Sequence, residues 1–208
     1  MLLGVRKTTA SDLCLIEAGL PSLSEHVRTA QKRCIGKMIQ EREEIVDDPF
    51  FHVWNLVRRE STPSARYILE LLRSDPNDES SKVIHRIEHS TRTKYIMYRI
   101  LINPSFAVHK MYTEPSIKEH ERLTVTRFRL SSHNLAIERG RWSRTPCELR
   151  LCQCGGVQDE KHMIQECPNI TPIRERNNEL SYTLPDFFEC EPLGSMVHVC
   201  HSIIKDFA

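Results

Sequence analysis

Apolar positions recur along this chain at helical spacing, and the punctuation between them is proline, glycine and short polar runs. Ser11–Ala18 reads as a short helix closed by Gly19, with Pro21 preventing its continuation. Ser22-x-x-Glu25 is a capping-box pattern and opens a longer helix to about Glu44, with Val27, Ala30, Cys34, Met38 and Ile35 on one stripe. Asp48-Pro49 opens a segment carrying Phe50, Phe51, Val53, Trp54 and Val57, and Thr62-Pro63 opens another with Tyr67, Ile68, Leu71 and Leu72. The polar run 75–81 is a break and a candidate boundary.

Beyond it, 83–88 reads as helical, whereas 94–102 is too uniformly apolar for a period to be assigned, and Asn103-Pro104 ends it. Residues 117–130 have helical composition, and 132–138 suggests a helix stopped by Gly140. Thr171-Pro172 opens a polar helix, and Leu193–Phe207 a final one with Met196, Val197, Cys200, Ile203 and Ile204 inward. The expected fold is mainly α.

Composition narrows this picture. With 208 residues there is room for one sizeable domain or two small ones. Charged residues at 27%, hydrophobic ones at 39% and only seven glycines suit a helix-rich globular protein better than a β-sandwich or a disordered chain. A net charge of +1 gives no global preference for polyanions, so any preference is local. No apolar run approaches a membrane span. Arg6-Lys7 interrupts the apolar start before the core of a secretion signal can form, so the expectation is an intracellular protein of the cytoplasm or nucleus. In that reducing setting, clustered cysteines more often bind metal than form disulfides.

The cysteines do cluster. Cys152, Cys154, His162 and Cys167 fall within sixteen residues and offer the four soft or borderline ligands that a closed tetrahedral structural zinc needs. Gly155-Gly156 supplies a tight turn that lets backbone N–H groups approach the thiolates, and Asp159 is a candidate N-cap for two helical turns over 160–165. Cys167, five residues after His162, lies off the His162 face of a regular helix. Pro168 excludes Cys167 from the helical region and lets it swing back toward the metal. The competing interpretation is four buried, reduced side chains with no metal. The gap Cys152-x-Cys154 is tighter than the usual two residues, and Cys147 is an alternative for either of the first two ligands.

Immediately before the cluster, residues 122–144 hold six arginines (Arg122, Arg127, Arg129, Arg139, Arg141 and Arg144) against one acid, Glu138, with Phe128 and Trp142 among them. Arginine forks bind phosphates and aromatic rings stack on bases, so this is a polyanion footprint. It is equally what a set of internally paired arginines looks like.

Three other patterns carry less. His85-x-x-Glu88-His89 matches a metalloprotease helix motif without a third ligand, and is more simply an exposed polar pair. Asp47-Asp48 lacks the apolar hairpin that places paired aspartates on catalytic magnesium, and helix capping accounts for it. His198 and His201 share a helix face that Cys200 does not, so packing is the default there.

Taken together, these residues resemble the C-terminal part of the reverse transcriptase of non-LTR (LINE-like) retrotransposons. Leu2-Leu3-Gly4-Val5-Arg6-Lys7-Thr8-Thr9 and Ile16-Glu17-Ala18-Gly19-Leu20-Pro21-Ser22-Leu23 look like the segment where the thumb begins. The run from Thr126-Arg127-Phe128-Arg129 through His133 to Arg139-Gly140-Arg141 is similar to the lead into that family's zinc region. Cys152-x-Cys154, Asp159-Glu160, His162 and Cys167-Pro168 match the zinc region, and Leu184-Pro185-Asp186-Phe187-Phe188 the tail after it. The likeness is weakest over 50–115.

The resemblance implies a thumb-like helical bundle (1–75), a helical linker with the basic stretch (76–140) and a small zinc-knuckle-like module (141–208). It implies one structural zinc on Cys152, Cys154, His162 and Cys167. The expected partner is RNA or an RNA/DNA template–primer, held by Arg127, Arg129, His133, Arg139, Arg141, Trp142 and Arg144 beside a polymerase palm supplied elsewhere. No membrane and no small-molecule substrate are expected. The sequence shows no Tyr-x-Asp-Asp hairpin and no nuclease, so the family's catalytic activities do not carry over and a non-enzyme is expected. The alternatives are a helical protein-interaction module and, third, a His85/Glu88/His89 hydrolase.

Overall fold

The computed structural model describes residues 4–7, 9–42, 55, 57–59, 62–74 and 78–207, and these are mainly helical, with no strand among them. The chain divides into two compact units, one of residues 1–20 with 86–208 and the other of 21–85. This grouping differs from divisions at 75 and 140. The segment at 11–18 and the C-terminal region share one core, and the long helix after Pro21 belongs to the other.

In the smaller unit, α2 (Leu23–Arg42) follows α1 (Ser11–Ala18) in the chain. Its N-terminus is capped as the pattern requires, because the Glu25 backbone N–H donates to Ser22 Oγ at 3.1 Å. α3 (Pro63–Arg73) starts with Thr62 Oγ1 accepting from the Ala65 N–H at 3.1 Å, and the fixed φ of Pro63 favours that first turn. Val57 and Ala65 are buried here, packed by Ile39, Ile68, Leu69 and Leu72. The α2 stripe expected to face inward does not. Leu23, Val27 and Met38 are exposed, while Ile39, one position round the helix from Met38, packs on the core. Asp47, and the Asp48-Pro49 segment as far as Trp54, lie outside the described residues.

The larger unit begins with α1, closed by Gly19 at φ 62°, a left-handed C-cap that favours glycine. α4 (Asp78–Glu88) leads into it, followed by α5 (Thr93–Met97). The apolar run after α5 has no helical period because its chain widens into a turn over Tyr98–Ile102, which ends where the Asn103 N–H reaches back to the Tyr98 carbonyl.

α6 (Glu119–Arg129) packs along the C-terminal helix, and α7 (Ala136–Trp142) follows it. Gly140 does not stop α7. The helix runs through it because Arg150 lies against that turn, where an added Cβ would come within 2.5 Å of Arg150 Cδ. α7 ends instead at Trp142, with Ser143 as its C-cap and Arg144 left-handed at φ 56°.

α8 (Thr171–Arg176), α9 (Asp186–Glu189) and α10 (Leu193–Phe207) complete the unit. Phe128, Phe187 and Phe188 stack in its core, with Phe187 edge-on to Phe188 at 5.2 Å. Met196, Val197, Cys200 and Ile203 of α10 are buried as their spacing predicts, and Ile204 is half-buried. No described helix is long and apolar enough to cross a membrane.

Candidate metal centre and basic surface

Residues 150–158 form a tight reversal. Gln158 N–H donates to the Arg150 carbonyl at 2.8 Å, Cys152 N–H to Gly156 at 2.7 Å, and Gly155 N–H to Cys152 at 2.9 Å. Leu151 and Val157 pair across it. The turn needs both of its glycines. Gly155 sits at φ 91°, and a Cβ on Gly156 would meet His162 Cε1 at 2.6 Å.

Asp159 then caps the next turn, its Oδ1 accepting from the His162 N–H at 2.7 Å. The chain from His162 to Glu166 widens, and the Cys167 N–H bonds to the His162 carbonyl at 2.7 Å, five residues back. A regular helix would carry Cys167 off the His162 face. The wider turn returns it, and an extended Cys167 (φ −64°, ψ 119°) before Pro168 completes the approach. The proline argument alone had missed this widening, for which the five-residue interval is the sequence signal. Arg174 of α8 braces the turn from outside, donating to the carbonyls of Ile164 and Cys167.

The four candidate ligands converge, their ligating atoms all within 4.8 Å of one another. Cys152 Sγ is 3.7 Å from Cys167 Sγ, Cys154 Sγ is 3.8 Å from Cys167 Sγ, and Cys154 Sγ is 3.1 Å from His162 Nε2. Sulfurs bound tetrahedrally at about 2.3 Å stand about 3.8 Å apart, whereas a disulfide needs about 2.05 Å. The three cysteines are free thiols at metal-ligand spacing.

His162 turns Nδ1 toward Glu166, 3.8 Å away, leaving Nε2 for the cluster. The Gly156 backbone N–H lowers the Cys154 thiol from its ordinary value, while burial pushes Cys167 up to about 11. A thiol so buried ionises readily only beside a cation. Cys147 is exposed and is not among these ligands, and no second such group occurs among the described residues. His85, Glu88 and His89 are all exposed, and Cys200 is buried while His198 and His201 are exposed. The cluster can hold one metal ion.

The loop that carries these residues is tied to its surroundings by Gln158. Its backbone carbonyl accepts from Ile137, its Oε1 from Ala136, and its Nε2 donates to the Phe207 carbonyl. These bonds tie the loop that carries the candidate ligands to the start of α7 and the end of α10.

The basic residues separate into two groups. Arg129 is 2% exposed and ion-paired to Glu17, with its guanidinium over the Phe188 ring at 5.0 Å. His133 is 3% exposed, and its Nε2 bonds to Glu160 at 2.9 Å. Burial alone would raise the Glu160 carboxyl, but His133 holds it down to about 2. Arg129 and His133 are thus both interior groups, with side chains 1% and 0% exposed. Both depart from the sequence expectation, because the counter-charges Glu17 and Glu160 come from distant parts of the chain.

Arg127, Arg139 and Arg144 are exposed, as is Trp142, and Arg139 and Arg144 have no ion-pair partner among the described residues. Arg141 is half-buried and pairs with Glu138, which also takes Lys94 at 3.1 Å.

Arg6, not among the residues expected to bind nucleic acid, joins this surface. Its guanidinium lies 4.4 Å from the Trp142 ring centroid, and it also bonds to Asn134. Its Nη1 is the one buried side-chain polar atom without a hydrogen-bond partner among the described residues. A cleft of ≈380 Å³ bounded by Arg6, Arg127, Thr124, Ser132, His133 and Asn134 has no carboxylate in its lining.

Comparison with protein-family models, with curated proteins and with solved structures gives no match for this chain.

Proposed function

We propose that this chain is a non-catalytic nucleic-acid-binding module stabilised by a structural zinc, from the C-terminal part of a non-LTR retrotransposon reverse transcriptase. Cys152, Cys154, His162 and Cys167 would hold the zinc. Three thiols and an imidazole, closed by four protein ligands, suit zinc and a structural role better than a catalytic one. Zinc there supplies cross-linking of the knuckle and no chemistry on a substrate. The family assignment rests on the sequence motifs alone.

The observation that carries nucleic-acid binding is the carboxylate-free cleft of Arg6 and Arg127. Cations without counter-charge attract a polyanion, and guanidinium forks suit its phosphates. Exposed Arg139 and Arg144, on and just after the helix that the knuckle braces, extend the set. The test is RNA binding by the full zinc-loaded chain as salt is varied. Each phosphate-contacting arginine removed lowers the log–log slope by about one. Arg127→Ala with Arg139→Ala and Arg144→Ala should weaken unrelated RNAs by similar factors without changing zinc content or helicity. Absence of salt-dependent binding by the wild-type chain would overturn the reading.

A second reading has one observation in its favour. Leu23, Val27 and Met38 leave an apolar stripe of α2 exposed, as a helical interaction module would. The same titration separates the two, since such a module would show no salt-dependent affinity for RNA.

A further inference from the structure

Trp142 is 56% exposed at the last position of α7, an unusual place for an indole with no structural task. One face is covered by the Arg6 guanidinium, and the side chain lines a second cleft of ≈400 Å³, distinct from that of Arg127. That volume falls in the range of small-ligand clefts, about 300–1,000 Å³, and accommodates a single nucleotide.

Tyr95 is buried in the same lining, with Arg92 6.0 Å from its ring, and Arg141 and Lys94 share the single carboxylate of Glu138. Three cations against one acid leave net positive charge beside an open aromatic face. That combination recognises a flat π system carrying a phosphate.

We propose that the Trp142 cleft stacks an unpaired nucleobase, with Arg92 and Arg141 toward its phosphate, so that this surface prefers single strands to duplexes. The inference rests on the nucleic-acid-binding reading and names the form of partner. A duplex keeps its base faces stacked inside and can offer only its backbone. An unpaired base presents a face to the indole, and the Arg6 guanidinium on the opposite face holds the ring in place.

The experiment uses the full zinc-loaded chain with two labelled probes, a 12-nucleotide oligouridylate and a blunt RNA duplex of equal length, each at two salt concentrations. Trp142→Ala should weaken the single strand about ten-fold, leave the duplex within about two-fold and keep both salt slopes, given what one stacked base contributes. Trp142→Phe, which keeps an aromatic face, should recover most of the loss at unchanged zinc content. In a Trp54→Phe background, oligouridylate should quench the remaining tryptophan emission and duplex should not. If the wild-type chain binds both probes but Trp142→Ala changes both equally or neither, the stacking cleft is overturned while the polyanion reading stands. If the wild type binds neither, both fall together.

Discussion

Arg129 and Glu17, 112 residues apart in the chain, form an ion pair of 2.6 Å whose side chains are 1% and 0% exposed. Tyr98 donates to Glu17 Oε2 at 2.7 Å and Tyr112 to Oε1 at 3.0 Å, so the carboxylate is fully engaged and α1 is fastened to α6. Breaking one side of a buried pair strands the other charge. Arg129→Ala should therefore cost about 3–5 kcal/mol in urea unfolding. Replacing both partners, as Glu17→Leu with Arg129→Met, should cost less than the Arg129→Ala change alone. A double variant less stable than that single one would show that the pair contributes more than mutual charge compensation.

The same pair sets a pH dependence. Burial alone would raise Glu17, but the Arg129 charge and the tyrosine and guanidinium bonds hold its carboxyl below the ordinary 4.5. A lowered folded value means that the unfolded chain takes up the proton first. The stabilisation is complete above about pH 4.5 and is lost as pH falls toward the folded value. The stability gap between wild type and Glu17→Gln, followed by chemical denaturation, should narrow below that pH, since both chains share every other acid-sensitive group. A constant gap from neutral pH to pH 3 would contradict the assignment.

Many of the helices were legible in the sequence because their signals are local. Gly19 closing Ser11–Ala18, the hydroxyl of Thr62 ahead of Pro63, and the apolar spacing of Leu193–Phe207 each describe what adjacent residues do to one another. The ligand set was legible for the same reason, as four side chains within one short loop. The fate of the arginines was not. Arg129 and Arg127 are two residues apart on one helix, and only the long-range arrival of Glu17 sends one inward and leaves the other exposed. The α2 stripe failed similarly, since Ile39 and Met38 are both apolar and only the tertiary partner chooses between them. Gly140 was misjudged because a packed Arg150, ten residues ahead, excludes any larger residue from the middle of a helix.

The two glycines of the 150–158 reversal make separable predictions. Gly155→Ala places a Cβ at φ 91° with open space around it, so it should cost about 1–2 kcal/mol in folding and leave the ligands in place. Gly156→Ala has no such backbone strain, but its Cβ would drive into the His162 ring and push Nε2 off the cluster. Metal affinity should drop about 10–100-fold, the usual size of losing a ligand's support, measured by competition with a chromogenic chelator. Equal affinities for the two variants would mean that Gly156 does not position His162.

Metal removal should be felt locally before it is felt globally. Cys167 is fully buried and sits between Cys152 and Cys154, so Cys167→Ser removes the ligand that both other thiols approach. The purified wild-type chain should carry about one zinc, and the variant none, since a three-ligand remnant binds far more weakly. Without the ion, three thiols and an imidazole have no reason to stay converged, and the bonds that depend on them loosen. The Cys152 N–H to Gly156, the Cys167 N–H to His162 and the Ile137 N–H to Gln158 should lose hydrogen-exchange protection first. The Gln158 link to the Phe207 carbonyl carries the effect to the end of α10. Amides of α3 should keep their protection, because the unit around Val57 and Ala65 has its own apolar core and no ligand in it. Uniform loss of protection along the chain would mean that the two units fold as one. Unchanged protection over 150–167 after chelation would mean that packing, and not a metal ion, holds the four ligands together.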